Sequence, residues 1–248
     1  MKIGVAQYQS VQGEVAQNIK RHQQFIEVAA TQGADLLVFP ELSLTGYEPS
    51  LAKSLAITLD DKCLEVLQDL SNQYNMRIGV GVPTHEEAGI CITLLILQPF
   101  QERRTYSKYY LHPDEEPFFV RGKAFPVMFV HQTAVAFAIC YELLVPAHPQ
   151  QANEHQAKVY VASVAKSAKG VEKAVVTLAD TAQRYGMTVL MANGLGPSDD
   201  FVSAGNSAVW NSKGELLAQL NETNEGLLLI DTTTDEVIIS YLDEEAIS

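Results

Sequence analysis

Short apolar runs alternate along this chain with stretches in which apolar residues recur at helical spacing. Residues 2–7 predict a first strand, and residues 15–29 predict a helix that ends near Gly33. Residues 35–39 predict a second strand, and Pro40 ends its hydrogen-bonding ladder. This alternation is typical of an α/β protein with helices packed on the faces of a sheet.

The same pattern continues to the end of the chain. It predicts helices over residues 60–74 and 170–185, a loop over 108–122, and strands over 77–82, 90–97, 101–107, 127–131, 133–139, 159–163 and 188–193. Further strands are expected near Ala208, Leu216 and Leu227, and the acidic residues 232–248 are expected to form a tail. The pattern alone leaves a doubly wound sheet open.

Composition limits the class of protein and its partners. The chain has 248 residues, 47% of them apolar, and no linker divides it, so we expect one domain over 1–248. The sequence lacks both an apolar stretch near its start and a run of about 18 apolar residues, which predicts a cytoplasmic protein. A net charge of −13 disfavours nucleic acid and membrane as partners, since phosphate-rich surfaces attract clustered Lys and Arg.

The cysteines and histidines predict no metal and no cofactor. Three widely spaced cysteines form neither a disulfide framework nor a CxxC motif, and the six histidines show no short metal-binding spacing. Cys63 and Cys91 lie in apolar patterns, which predicts that both are buried.

Three reactive side chains each follow an apolar run. Glu41 follows residues 35–39, Lys108 follows the strand predicted to end at Ser107, and Cys140 follows residues 133–139. Hydrolysis of an amide requires a nucleophile, a base and stabilisation of an oxyanion. A cysteine, a glutamate and a lysine supply these three functions, whereas a buried structural cysteine is the commoner role for Cys140 considered alone.

The sequences around these residues resemble the nitrilase superfamily of carbon–nitrogen hydrolases. The resemblance covers nearly the whole chain, and its specific parts are FPELSLTGYEP (39–49), YSKYYLHPDEEPFF (106–119) and AICYELLVP (138–146), with a weaker match in GNSAVWNSKGELL (205–217). It implies a four-layer α-β-β-α sandwich, and a glutamate, a lysine and a cysteine as catalytic residues.

The resemblance also implies a role for each residue. Cys140 is expected to form a thioester, Glu41 to transfer protons, and Lys108 to stabilise the oxyanion together with the backbone N–H of Tyr141. A second glutamate is expected after the lysine, and we favour Glu115 over Glu116 because of its spacing to the following aromatic residue and glycine.

Substrate-binding residues are expected in loops around the cysteine. The aromatic candidates are Tyr47, Tyr109, Phe118 and Phe119, and Lys166 is a candidate for binding a substrate carboxylate. Glu142 keeps the acidic residue that often follows the cysteine and tyrosine in the family, but the arginine that often comes next is absent.

These features together predict an amidase that cleaves a small linear amide or N-carbamoyl compound and releases ammonia or an amine. The alternatives are a nitrile hydrolase of the same mechanism and a catalytically silent binding protein on the same fold. The resemblance further implies a homodimer or larger homo-oligomer, in which residues 232–248 form part of an interface.

Overall fold

The computed structural model describes residues 1–123 and 127–242. In chain order its strands are β1 (Lys2–Gln7), β2 (Leu36–Val38), β3 (Arg77–Glu86), β4 (Gly89–Leu97), β5 (Arg104–Ser107), β6 (Val127–Val130), β7 (Thr133–Ile139), β8 (Val159–Val164), β9 (Thr188–Asn193), β10 (Leu195–Ser198), β11 (Phe201–Ala204), β12 (Ala208–Trp210), β13 (Leu216–Gln219), β14 (Gly226–Asp231) and β15 (Val237–Tyr241). The α-helices are α1 (Val15–Thr31), α2 (Ala52–Leu55), α3 (Glu65–Tyr74), α4 (Ala147–Glu154) and α5 (Ala168–Tyr185). Short 3-10 helices span Pro49–Leu51, Lys62–Leu64 and Cys140–Leu144.

Two large sheets organise these elements. One has the strand order β15-β14-β1-β2-β3-β4-β5, and the other has the order β13-β12-β9-β8-β7-β6. The neighbours β1, β2 and β3 run parallel, as do β7, β8 and β9. A separate hairpin pairs β10 with β11.

Three apolar layers separate the sheets and helices. Val5, Phe137 and Val161 belong to a cluster contributed by both sheets. A second cluster joins the first sheet to α1 and α3, and a third joins the second sheet to α4 and α5. The chain is therefore a four-layer α-β-β-α sandwich, as the family resemblance implied, and not a doubly wound sheet.

Two glycines allow close backbone packing beside the reactive loops. A Cβ on Gly81 of β3 would lie 2.2 Å from Leu42 N and 2.4 Å from Pro40 O. A Cβ on Gly122 would lie 2.1 Å from Ser107 O, next to Lys108. Only glycine permits such approaches, so the backbone on both sides of Glu41 and the backbone just before Lys108 depend on them.

Several predicted elements differ from the structure. The predicted helix over 60–74 begins as the 3-10 helix Lys62–Leu64, and the predicted strand over 101–107 begins only at Arg104. The predicted tail was wrong for residues 237–241, which form β15 at the sheet edge because β-branched and aromatic residues favour a strand. Residues 232–236 and 242 of that tail are not in a strand, and 243–248 lie outside the described residues.

Candidate active site

Lys108 lies at the centre of a buried ion cluster. Its Nζ donates to Glu41 Oε1 at 2.7 Å and to Glu115 Oε1 at 2.6 Å, and the residue is fully buried. Glu115 also accepts from the Tyr47 hydroxyl at 2.9 Å and from the His112 N–H at 2.8 Å. The structure thus brings Glu41, Lys108 and Glu115 together in one cluster, which Tyr47 joins through its hydroxyl.

Glu116, the alternative to Glu115, points elsewhere. Its side chain is 57% exposed and pairs with Arg121 at 3.5 Å on the surface. Glu115 is instead 1% exposed, because the turn from His112 to Glu115 directs its carboxylate inwards.

Strand ends bring these residues together. The chain leaves β2 at Val38, and Phe39 N donates to Gly79 O, so Glu41 follows two residues after the last ladder contact. Lys108 follows β5 directly, and its N–H still bonds to Ile92 O of β4. These connections hold both side chains at the edge of the first sheet.

Cys140 comes from the second sheet. It begins the 3-10 helix directly after β7, and its φ is +45°, a left-handed conformation that is unfavourable for a residue with a Cβ. Its half-buried thiol lies 3.6 Å from Ala165 O, beyond the end of β8. Such strain commonly occurs at functional sites, where the surrounding structure fixes the backbone.

Burial and charge together determine the protonation states. Burial alone lowers the pKa of Lys108, but Glu41 and Glu115 outweigh it and raise this pKa above its usual value. Burial raises the pKa of the Cys140 thiol to about 11, with a further contribution from Glu41, while Lys166 and Lys108 oppose the increase. At neutral pH the lysine is therefore an ammonium and the cysteine a thiol.

Glu41 is suited to accept a proton. Burial raises its pKa, Lys108 lowers it, and the charge of Glu115 raises it further. Its second oxygen, Oε2, is buried and has no hydrogen-bond partner among residues 1–123 and 127–242. A buried carboxylate oxygen without a donor binds a proton more readily than one that is hydrogen-bonded.

A buried hydrogen-bond network surrounds Glu142 and was not predicted from the sequence. One oxygen of this carboxylate accepts from the N–H groups of Tyr109 and Tyr110, and the other accepts from Ile139 N at 2.8 Å and Tyr106 OH at 2.6 Å. Glu142 therefore links the loop after Lys108 to the residue before Cys140. The acid after the cysteine and tyrosine was noticed in the sequence, but its partners are far away in the chain.

His148 extends this network on the far side of Glu142. Its two ring nitrogens lie 2.7 Å from Tyr106 OH and 2.8 Å from Tyr160 OH. Burial lowers the pKa of His148 to about 3, so the ring is neutral. Because Tyr106 donates to Glu142, it accepts from His148 Nε2–H, and His148 Nδ1 accepts from Tyr160.

The predicted substrate-binding residues have different surroundings. Tyr47 is half-buried and packs near Phe201 at 5.6 Å, and Tyr141 packs near His112 at 5.1 Å. Phe119 is 3% exposed and lies in the apolar cluster between the sheets. Its place in the core explains its burial without a substrate.

Other candidates lie at the surface or beside Cys140. Tyr109 and Phe118 are each 45% exposed, whereas Lys166 is 8% exposed and lies close enough to affect the pKa of Cys140. Of the other cysteines, Cys91 is buried as predicted, but Cys63 is only half-buried because its 3-10 helix lies near the surface.

A small cavity lies against the acidic side of the cluster. It is lined on one side by Glu41, Tyr47 and Ala165, and on the other by residues of the β10–β11 hairpin such as Ser198 and Ser203. A larger cavity of about 900 Å³ lies elsewhere, beside Tyr8 and Arg21, and contains none of the clustered catalytic candidates.

The described part of the chain contains neither a membrane-spanning helix nor a metal-binding cluster. None of its helices has both the length and the apolar character needed to span a lipid bilayer. Within residues 1–123 and 127–242, no group of three or more His, Cys, Asp and Glu side chains is arranged to hold a metal ion.

A match to a family model accompanies this fold and this cluster of ionisable groups. The family described as carbon–nitrogen hydrolase matches residues 2–239. The chain therefore belongs to the carbon–nitrogen hydrolase family.

Individual relatives agree with this assignment. A glutamine-dependent NAD(+) synthetase from Thermotoga maritima is 26% identical over 98% of this chain, which spans only 44% of the synthetase. A protein named hydrolase in agr operon, from Staphylococcus aureus, is 26% identical over 96% of this chain and 93% of its own length. The structure of an amidase from Nesterenkonia sp. AN1 matches with a TM-score of 0.85 and 24% identity, covering 93% of this chain and 92% of the amidase.

Proposed function

We propose that this protein hydrolyses a small linear amide or N-carbamoyl compound through a thioester on Cys140 and releases ammonia or an amine. The observation that carries the proposal is the ion cluster, in which Lys108 binds Glu41 and Glu115 while Glu41 Oε2 stays unpartnered among the described residues. A variant of the Nesterenkonia amidase binds butyramide, a small linear amide.

In the first half-reaction Cys140 Sγ attacks the carbonyl carbon. Because burial and Glu41 raise the pKa of the thiol to about 11, the attack requires a base, and Glu41 accepts the proton. The oxyanion that forms is stabilised by Lys108 Nζ, which has three N–H donors and uses two of them for carboxylates. The backbone N–H of Tyr141 supplies a second donor, since N–H groups in the first turn of a helix have no intrahelical partner.

The C–N bond then breaks as Glu41 gives its proton to the leaving nitrogen. In the second half-reaction a water attacks the thioester, and Glu41 takes a proton from the water. The carbon–sulfur bond breaks, the acid is released, and the proton returns to Cys140. Glu115 transfers no proton in this scheme and instead holds Lys108 in place.

Tyr47, Tyr141 and Phe119 are proposed to shape the substrate site in different ways. Tyr47 lines the small cavity and reaches Glu115, while Tyr141 offers its backbone next to Cys140. Phe119 acts from the core, because its N–H donates to Glu115 O and the residue belongs to the apolar cluster between the sheets.

Alkylation and turnover of cysteine variants test this function. The wild type, Cys140→Ala and the matched control Cys63→Ala are incubated with small amides, N-carbamoyl compounds and nitriles, and ammonia release and intact mass are recorded. We expect ammonia release and an acyl adduct in the wild type and in Cys63→Ala, and neither in Cys140→Ala.

Other outcomes would redirect the assignment. Turnover of nitriles alone would assign the mechanism to nitrile hydrolysis. No turnover and no adduct in any reaction, with Cys140 inert to iodoacetamide in folded protein, would mark a silent binding protein and overturn the proposal.

We further propose a cytoplasmic homo-oligomer with a small-molecule amide as its substrate and no nucleic acid or membrane partner. Strand β15, at the edge of the first sheet, exposes Ile238, Ile239 and Tyr241, and an exposed apolar edge strand supports self-association. Light scattering coupled to size-exclusion chromatography tests it, and a stable, active monomer would contradict it.

A further inference from the structure

Lys166 follows the end of a strand in the second sheet and lies beside Cys140, the proposed nucleophile. Its strand β8 runs parallel to β7, with Ile139 paired to Ser163, so the residues after both strands emerge on the same edge. The Cys140 thiol lies 3.6 Å from the carbonyl of Ala165, the residue before Lys166.

The backbone of Lys166 is fixed from two sides. Its N–H donates to Asn193 Oδ1 at 2.8 Å, and its carbonyl accepts from Asn193 Nδ2 at 3.1 Å and from Ala204 N at 2.9 Å. Gly170 lets the stem of the lysine pass closely, since a Cβ there would lie 3.3 Å from Lys166 Cβ. The start of this side chain is therefore positioned by the fold rather than free on the surface.

The charge of Lys166 has no partner in the described part of the chain. The residue is 8% exposed, yet its Nζ forms no ion pair or hydrogen bond with residues 1–123 or 127–242. Lys108, in contrast, is fully buried and contacts two carboxylates. An ammonium that lies beside the nucleophile without a counter-ion is available to pair with an anionic group of a ligand.

The positive charge of Lys166 also acts on the Cys140 thiol. Lys166 and Lys108 both lower the pKa of the Cys140 thiol, and Lys166 has the larger effect. An amide carbonyl bound at Sγ would therefore lie in the field of a cation that has no counter-ion among the described residues.

We infer that Lys166 binds a carboxylate of the substrate, so that the preferred substrates are small amides that carry a negative charge a short chain away from the scissile carbonyl. This inference rests on the proposed function and narrows it. An ammonium on a flexible stem suits this role, because it forms strong charge-assisted hydrogen bonds to carboxylates of differing position.

Matched substrates differing only in charge provide the test. The monoamides of short dicarboxylic acids, beginning with succinamate, are compared with the corresponding diamides, beginning with succinamide. For the wild type we expect kcat/KM to favour the monoamide by about 30-fold, the range typical of one hydrogen bond to a charged group. Lys166→Met should bring this ratio close to one, and Lys169→Met, which removes an exposed lysine three residues away, should retain it.

A second measurement does not depend on turnover. Iodoacetate and iodoacetamide alkylate a thiol by the same reaction but differ in charge, and their rate ratio at Cys140 reports an adjacent cation. We expect Lys166→Met to lower the iodoacetate-to-iodoacetamide ratio at least about tenfold relative to Lys169→Met.

The two measurements separate the failure of this inference from the failure of the proposed function. An unchanged alkylation ratio in Lys166→Met, or an equal loss of turnover on monoamides and diamides, would overturn the carboxylate role while leaving the amidase intact. If the iodoacetate-to-iodoacetamide rate ratio falls as expected but no amide is turned over, the anion site is supported and the amidase function is rejected.

Discussion

At the scale of single residues, the double contact of Lys108 explains why two glutamates are needed. Glu41 must change its protonation state during the proposed reaction, so it is a poor permanent partner for the lysine. Glu115 transfers no proton in that reaction and receives three hydrogen bonds, from Lys108, Tyr47 and His112. The lysine therefore keeps one constant anchor while Glu41 takes up and releases protons.

Replacing that anchor should impair turnover more than folding. Glu115→Gln removes one carboxylate, and Lys108 then has only Glu41 as a charged partner. We expect kcat to fall about 100-fold, because small displacements of a catalytic group slow the reaction strongly. The control Glu116→Gln changes the neighbouring exposed residue and should keep wild-type kcat. Equal losses in both variants, measured by ammonia release, would assign the effect to the loop as a whole.

Removing the charge of Glu41 should have opposite effects on thiol ionisation and on turnover. The Glu41 carboxylate raises the pKa of Cys140, so Glu41→Gln lowers that pKa from about 11 and increases the thiolate fraction at a given alkaline pH. Turnover should nevertheless fall by about 100-fold or more, since the base is absent.

Ultraviolet absorbance of the thiolate during a pH titration measures this shift. Cys140→Ala serves as the blank, because Cys63 and Cys91 also titrate, with the pKa of each raised by burial to about 12 and about 11. An unchanged or higher pKa in Glu41→Gln would show that the carboxylate is not charged next to the thiol.

Reactive residues can be predicted from the sequence when the local pattern of apolar residues marks their position. Glu41, Lys108 and Cys140 follow apolar runs, and strand ends are where side chains leave a core. Glu142 could not be assigned a role in this way, because its hydrogen-bond donors come from two segments about 30 residues apart, at Tyr106 to Tyr110 and at Ile139. The missing partner of Lys166 is likewise visible only in three dimensions.

At the scale of elements, β3 is the strand on which the position of Glu41 depends most. Gly81 faces the backbone from Pro40 to Leu42 at distances that exclude a side chain, whereas Gly79 on the same strand meets only side-chain atoms, at 3.3 Å or more. A side chain can move aside by a few tenths of an ångström, but a backbone held by a sheet cannot.

Two alanine substitutions on this strand should therefore differ. We expect Gly81→Ala to lower the free energy of unfolding by at least about 2 kcal/mol more than Gly79→Ala, as overpacking against rigid neighbours does. Urea unfolding followed by circular dichroism measures the difference. Similar stability of the two variants would mean that the loop carrying Glu41 adapts easily.

Elements with a clear periodicity were predictable, and elements stabilised by tertiary contacts were not. Strands β1 and β9 have the predicted ends, because each is an apolar run with a polar residue as its first and last member. Helix α4 carries few apolar residues, and its His148 and Ala152 become buried only against the rest of the fold. Strand β15 was hidden by the acidic residues around it, and its pairing with β14 outweighs them.

At the scale of the whole molecule, the sequence alone could not assign strands to sheets. Strand β14 lies next to β1, although more than 200 residues separate Gln7 from its partner Gly226. Such pairing depends on packing between residues far apart in the chain, and the local pattern of apolar residues contains no information about it. Family resemblance supplied the four-layer architecture that the apolar pattern left open.

Buried neutral histidines should make the whole fold sensitive to acid. Burial lowers the pKa of His22 to about 3, although a hydrogen bond to Asn18 O raises it in part. Burial also lowers the pKa of His148 to about 3. His22 joins α1 to the loop after Glu41, since its Nδ1–H donates to Asn18 O and its Nε2 accepts from Ser43. Protonation would remove that acceptor.

The direction of the effect follows from proton binding. An unfolded histidine has a pKa of about 6.5, so between pH 6.5 and pH 3 the unfolded state binds one more proton per buried histidine than the folded state. Stability is complete above this window and falls as the pH decreases through it. Buried Glu41 and Glu142, whose pKa values are raised by burial, act in the opposite direction.

Comparing variants isolates the histidine contribution from that of the carboxylates. We expect His22→Gln to reduce the slope of unfolding free energy against pH by about one proton between pH 6 and pH 4, because glutamine keeps a donor and an acceptor but does not titrate. His85→Gln replaces an exposed histidine and should retain the wild-type slope. Urea unfolding at a series of pH values measures all three proteins. Parallel profiles for the wild type and His22→Gln would show that His22 takes up its proton without unfolding the protein.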